Sequence, residues 1–206
     1  MDFRSISDIY KAPALGSRYI ALSDIEPLLR DAKGEVSVFG ESVEKRPLYQ
    51  YRIGHGPFRI LMWSQMHGNE STATRALFDL FAFLESDQKT ANDWLERFTF
   101  CFVPMLNPDG ALRYTRENAN GVDLNRDFVQ LTQPESTALF QLFEDFHPNF
   151  CFNLHDQRSI FGVGDTGMPA SISLLAPAFN AEREVNQTRG LAIKVAVAIN
   201  TFLQDS

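Results

Sequence analysis

Three short, almost unbroken apolar runs, at residues 58–64, 98–105 and 149–154, most constrain how this chain can fold. A strand with one wet face alternates apolar and polar side chains, whereas a strand covered on both faces has no reason to alternate. Between the runs the pattern changes to a helical period. Residues 70–84 place Ala73, Ala76, Leu77, Leu80, Phe81 and Leu84 on one face, and residues 90–97 and 134–146 read as two more helices. Buried strands alternating with helices predict an α/β fold. Its form is a three-layer sandwich, a central mixed, mostly parallel sheet flanked by helices.

The remaining segments fit around that frame. Residues 23–30 read as a short helix closed by Gly34, and residues 35–39 and 47–53 as β-rich runs. Gly54-His-Gly-Pro57 is a turn into the first buried strand. Asn107-Pro-Asp-Gly110 also reads as a turn, because Pro fixes its own φ and Gly takes positive φ at little cost. A long loop is expected at residues 162–177 and a last helix at 182–203. With 206 residues, 44% of them hydrophobic, the chain can bury a core as a single domain over residues 1–206. The segment ahead of Glu35 reads as an extension of that domain.

A formal net charge of −7 and the lack of a basic patch argue against nucleic acid or an anionic membrane as partner. No apolar stretch is long enough to cross a bilayer, and the N-terminus has no hydrophobic signal core, so the expected location is cytoplasmic. Cys101 and Cys151 each lie in an apolar run and read as reduced core residues. Phe78, Phe81 and Phe83 read as helix core rather than as a substrate pocket.

His67-Gly-Asn-Glu70 follows the first buried run, and His155 ends the third. A borderline-soft divalent ion needs nitrogen and carboxylate ligands that converge and leave one position for water. His67, Glu70 and His155 would make such a set. Gly68 and Asn69 suit a tight bend that turns the first two side chains into one cavity. Taken singly, each residue has a plainer reading: a hydrogen-bonded loop histidine, a favourable charge at a helix N-terminus, and a core histidine.

In chain order, five stretches carry a family resemblance. They are Gly40-Glu-Ser-Val-Glu-Lys-Arg-Pro47, Met66-His67-Gly-Asn-Glu70-Ser71, Asn107-Pro-Asp-Gly110, Gly121-Val-Asp-Leu-Asn-Arg-Asp-Phe128 and Asn153-Leu-His155. Over roughly residues 40–160 the chain resembles the zinc metallocarboxypeptidase family, carboxypeptidase A-like. The resemblance implies a zinc-exopeptidase-like sandwich and one zinc ion per chain, held by His67, Glu70 and His155 with water as the fourth ligand. It implies that Asp123 accepts the free ring N–H of His67. Asn125 and Arg126 would bind a substrate's terminal carboxylate, a task suited to the paired donors of a guanidinium. Arg116 would support the developing oxyanion, with Arg113 as a nearby competitor. The implied activity is removal of C-terminal amino acids by metal-activated water. The implied partner is a peptide or small amide with a free C-terminal carboxylate.

In that family a glutamate well beyond the third ligand acts as general base, and a tyrosine precedes it. After His155 only 51 residues remain, without a Tyr, and Glu182 and Glu184 fall in what reads as a surface helix. The expectation is therefore a domain truncated at its C-terminus, inactive where its base lies beyond Ser206. Its uncovered sheet edge would invite self-association. Two alternatives stay open. One is a zinc-dependent N-acyl amino acid deacylase similar to the succinylglutamate desuccinylase and aspartoacylase group, which shares related His-Gly-Asn-Glu and Asp-Leu-Asn-Arg elements. The other is an inactive zinc- or peptide-binding relative.

Overall fold

Among the described residues, five strands form one sheet in the order β1-β2-β4-β3-β5: β1 (Glu35–Glu41), β2 (Pro47–Gly54), β3 (Phe58–Trp63), β4 (Phe98–Val103) and β5 (Phe150–Asn153). The computed structural model of the chain describes residues 9–156, 162, 164–168 and 172–204. β1–β2 and β2–β4 pair antiparallel, while β3 pairs parallel with both β4 and β5. The sheet is mixed, as expected, but its pairings divide evenly rather than being mostly parallel. The short link from β1 to β2 can only reverse the chain, whereas the links between β3, β4 and β5 pass through helices and return it in the same direction.

The helices are α1 (Leu22–Arg30), α2 (Thr72–Leu84), α3 (Lys89–Arg97), α4 (Pro108–Arg113), α5 (Leu124–Asp127), α6 (Pro134–Phe146) and α7 (Gln187–Gln204). Alternate residues of the central strands enter two separate cores. Ile60, Phe100 and Phe102 join Ile25 and Leu29 of α1 and Leu77, Phe78, Phe81 and Leu84 of α2. Leu61, Cys101 and Val103 join Leu139, Leu142 and Phe146 of α6. Burial on both faces explains why β3 and β4 do not alternate in sequence. Phe78, Phe81 and Phe83 are buried core, with the Phe81 ring 4.5 Å from Tyr51 and 4.9 Å from Phe102.

Cys101 and Cys151 both register against Leu61, from opposite sides. Two strand spacings, about 9–10 Å, separate them, which is too far for a disulfide. Both thiols are free, and burial pushes each up to about 11. Cys101 is fully buried; Cys151, on a strand at the end of the sheet order, is only half-buried.

Of the two short helices α4 and α5, α4 stands where the sequence reads a turn. Asn107-Pro-Asp-Gly110 opens α4: the Asn107 side chain accepts from Gly110 N at 2.8 Å, and Pro108 has no N–H to leave unpaired. Asp109 is fully buried, accepts from Ser42 Oγ at 2.9 Å and Glu44 N at 3.0 Å, and pairs with Arg46. It ties α4 to the β1–β2 turn. α5 is capped in the same way by Asp123.

The described residues up to Asp156 make one compact unit and those after it a second. In the second unit the last helix starts at Gln187 rather than at Glu182. Glu182 and Glu184 therefore precede it, and Glu184 is bonded to Asn180 through its N–H and its carboxylate. No helix among the described residues is long and apolar enough to cross a membrane.

Candidate metal centre

Because β3, β4 and β5 run parallel, their C-terminal ends share one edge of the sheet, where ligand sites of such folds collect. Backbone pairing continues past the strands, with Leu106 N bonded to Ser64 O at 3.1 Å, Asn107 N to Gln65 O at 3.0 Å and Leu154 N to Trp63 O at 2.9 Å. His67, Asn107 and His155 leave the sheet from these ends.

Buried polar groups hold the bend after β3. Gln65 takes φ 45°, a conformation that costs a residue with a Cβ. Its side chain is fully buried and saturated: Nε2 donates to Gly68 O at 2.9 Å and Ile20 O at 3.1 Å, and Oε1 accepts from Thr74 Oγ1 at 2.7 Å. Glu70 N donates to His67 O at 3.0 Å and closes the bend. Gly68 packs directly on the backbone of Gly110. Asn107 Nδ2 reaches Met66 O and Arg116 O, both at 3.4 Å, so one buried side chain touches the segments that carry His67 and Arg116.

His67 is 1% exposed. Its Nε2 stands 3.1 Å from Asp123 Oδ1, so the Nε2–H faces a carboxylate and the neutral ring presents a lone pair at Nδ1. That Nδ1 lies 3.0 Å from Glu70 Oε1 but makes no hydrogen bond among the described residues. Two acceptors at this separation call for a cation between them. Glu70 Oε2 lies 2.8 Å from His155 Nδ1. One ligand atom each from His67, Glu70 and His155 falls within 4.8 Å of the others. The donor set suits a divalent ion of zinc's kind. The His155 side chain is 33% exposed, which leaves the site an open side.

Arg116 bridges the two carboxylates, Nε to Asp123 Oδ2 at 3.0 Å and Nη1 to Glu70 Oε1 at 3.3 Å. Arg113 pairs instead with Glu44. Of the two arginines weighed from sequence, Arg116 is thus the one in contact with the site. Asp123 Oδ1 also accepts from Asn125 N at 2.9 Å, which joins the start of α5 to His67. Asn125 Oδ1 accepts from Asn153 Nδ2 at 3.4 Å. Arg126 is exposed, and none of the described residues forms an ion pair with it.

Burial pushes the Glu70 carboxyl up, but the positive charge of the His155 and His67 rings, when protonated, outweighs that and holds it at about 2. Burial also acts against ionisation of Asp123, and His67 and Arg116 overcome it to keep that group below its ordinary value. A carboxylate depressed on folding stabilises the protein above its ordinary value, here 4.5, and loses that contribution as pH falls through about 2. The metal-free chain is expected to lose stability over this window more steeply than Glu70→Gln, as urea midpoints at several pH values would show. Parallel slopes for the two proteins would contradict the assignment.

The model of the family described as zinc carboxypeptidase matches residues 31–154, more than half of the chain. The chain belongs to the zinc carboxypeptidase family. Carboxypeptidase 2 of Trichophyton rubrum is 28% identical over 137 residues, covering 65% of this chain and 25% of that protein. Cytosolic carboxypeptidase 4 of Homo sapiens is 33% identical over 95 residues, covering 46% of this chain and 8% of that protein. Among solved structures, a metallo-carboxypeptidase from Burkholderia cenocepacia aligns with TM-score 0.58 at 24% identity, over 63% of this chain and 38% of that one. Thrombin activatable fibrinolysis inhibitor aligns with TM-score 0.60 at 16% identity, over 74% and 53%. At such identities the structures show a shared fold. The chain spans about a quarter of the length of the carboxypeptidase 2 relatives it matches and 8% of cytosolic carboxypeptidase 4. The match to this zinc carboxypeptidase family takes in His67, Glu70 and the 121–128 motif but stops one residue before His155. The third ligand position rests on the geometry above.

Sequence reading missed the buried clamp Gln65 and gave Asn107 only a turn. A polar residue just after an apolar run looks like any solvated loop residue until its partners are known, and those partners are chiefly backbone groups that leave no mark in a sequence.

Proposed function

We propose that this chain carries the metal-binding and substrate-orienting part of a zinc carboxypeptidase acting on the C-terminal residue of peptides. The observation that carries the reading is the buried Nδ1 of His67. It has no hydrogen-bond partner among the described residues, faces Glu70 Oε1 at 3.0 Å, and belongs to a ring whose other nitrogen is held by Asp123. Bound there, zinc would acidify a water molecule and polarise the scissile carbonyl.

The protein's own groups would do the rest. Asp123 keeps His67 in the ligating tautomer. Arg116, reached from the same carboxylates, offers a cation to charge that develops on the carbonyl oxygen. Arg126, exposed and without an ion pair among the described residues, would take the substrate's carboxylate with Asn125 beside it. The carboxylates around the ligand atoms are all engaged: Glu70 by His155 and Arg116, Asp123 by His67 and Arg116, and Asp156 by Thr72. None of these three stands free to take a proton from water. This reading therefore gives the described residues metal binding and orientation, not the role of general base.

The test is hydrolysis by the zinc-loaded chain of a blocked dipeptide against an N-acyl amino acid. Release of the C-terminal residue from the dipeptide supports the reading. Release from the N-acyl amino acid alone would replace it with a deacylase, and peptide binding without turnover would replace it with a carboxylate-binding module. Arg126→Ala is expected to lower kcat/KM for the dipeptide roughly 10- to 100-fold, mainly through KM, with zinc content unchanged. An unchanged KM would remove Arg126 from the carboxylate site.

A further inference from the structure

Glu70 and His155 belong to segments 85 residues apart, and their geometry must be held by something beyond the sheet. β5 ends at Asn153, and the bond from Leu154 N to Trp63 O is the last backbone tie of that strand to β3. His155 follows immediately with a side chain one-third exposed. The next residue, Asp156, reaches across to the start of α2. Its two carboxylate oxygens accept from Thr72 N at 3.0 and 3.2 Å, and one of them also accepts from Thr72 Oγ1 at 2.9 Å. The residue at the cap position of that helix, Ser71, makes no capping bond with its own side chain. Asp156 supplies the missing acceptor from 84 residues away. Its backbone N–H meanwhile points to Glu70 Oε2 at 3.3 Å, the oxygen that His155 Nδ1 contacts at 2.8 Å.

We propose that Asp156 is a positioning residue of the metal centre, clasping Thr72 so that His155 is held against Glu70. The inference rests on the zinc reading of His67, Glu70 and His155. It says which bond, outside the three ligands, sets the distance between two of them. A carboxylate suits the task because it satisfies a helix N-terminal N–H and a hydroxyl together, and because its charge is favourable at that end of the helix. The clasp also gives the helix start and the β5 exit a single hinge point. When it opens, Glu70 and His155 separate, although neither ligand has been altered.

The experiment is competition for zinc between a chromophoric chelator and the full chain, for the unaltered protein, Asp156→Ala, Asp156→Asn and Thr72→Val. Melting midpoints of the metal-free proteins and the visible absorption of their cobalt(II)-loaded forms complete it. Asp156→Ala is expected to bind zinc about 10- to 100-fold more weakly, the usual cost of losing a group that orients a ligand, and to show an altered cobalt spectrum. Asp156→Asn keeps one acceptor oxygen and is expected to fall between the Ala variant and the unaltered chain. A lowered melting midpoint with zinc affinity and cobalt spectrum unchanged would make Asp156 a helix cap only and overturn the proposal. If Asp156→Ala does not fold, Thr72→Val decides, because it removes the hydroxyl and keeps the N–H: weaker zinc binding supports the clasp, and unchanged binding overturns it. Failure of the unaltered chain to bind zinc would sink the metal reading, and this inference with it. Equal binding by all four proteins would sink the clasp alone.

Discussion

His67→Ala, Glu70→Gln and His155→Ala are each expected to abolish stoichiometric zinc uptake, while the unaltered chain takes up one zinc ion. The loss should exceed the roughly 10- to 100-fold cost of removing a group that merely orients a ligand, because each change removes a donor atom itself. His67 should be the most sensitive of the three. It is 1% exposed, and its two nitrogens face two different carboxylates, so nothing nearby can replace it. Glu70→Gln keeps the side chain's size but removes the charge that sits between two imidazoles. Elemental analysis after gel filtration reads the stoichiometry. A second readout is thermal: a ligand that binds only the folded state at about 100 times its Kd adds about 2.7 kcal/mol. Zinc should therefore raise the melting midpoint of the unaltered chain and of none of the three variants. Zinc retained at full occupancy by any of the three would remove that residue from the ligand set.

Gly68→Ala is expected to be the most damaging change at a residue that offers no side chain to the site. A Cβ on Gly68 would lie 2.0 Å from Gly110 C and 2.2 Å from Ala111 N, both backbone atoms that cannot rotate away. The bend between His67 and Glu70 would have to move off α4, and both ligands would move with it. Overpacking of this kind costs typically 1–3 kcal/mol, and a displaced ligand pair should weaken zinc binding by at least about tenfold. Gly121→Ala is the informative control. Gly121 has φ +72 and open space around it, so alanine there carries backbone strain of about 1–2 kcal/mol without a clash. Loss of zinc affinity in Gly68→Ala and its retention in Gly121→Ala would show that close backbone approach matters at the bend. Normal zinc binding by Gly68→Ala would mean that the loop and α4 can part at little cost.

Much of the architecture is legible in the residues themselves. The apolar runs at β3 and β4 predicted strands covered on both faces, and alternate residues of each do enter two separate cores. The helical periods of α2 and α6 were visible for the same reason, since a buried face must repeat with the turn of the helix. Where reading failed, the signal was local and ambiguous. Asn107-Pro-Asp-Gly110 carries residues favoured in turns, yet the same residues cap and open a helix once Gly110 N finds the Asn107 side chain. The mixed sheet was legible as such, while which strand lies beside which, and so the even balance of parallel and antiparallel pairs, comes from the tertiary structure.

The candidate site divides along the same line. Residue types and placement pointed to His67, Glu70 and His155 as a set, because metal chemistry restricts which side chains can serve, and the family resemblance added Asp123 beside them. The resemblance put Arg116 ahead of Arg113, and the tertiary structure turns Arg116 to Glu70 and Asp123 and Arg113 to Glu44. The bonds made by Gln65 and Asn107, and the Thr72 partner of Asp156, were decided by tertiary structure alone. Hydrophobic period and ligand chemistry are written in the identity of residues, whereas hydrogen bonds to backbone groups, and contacts across 84 residues of chain, exist only once the fold has brought their partners within reach.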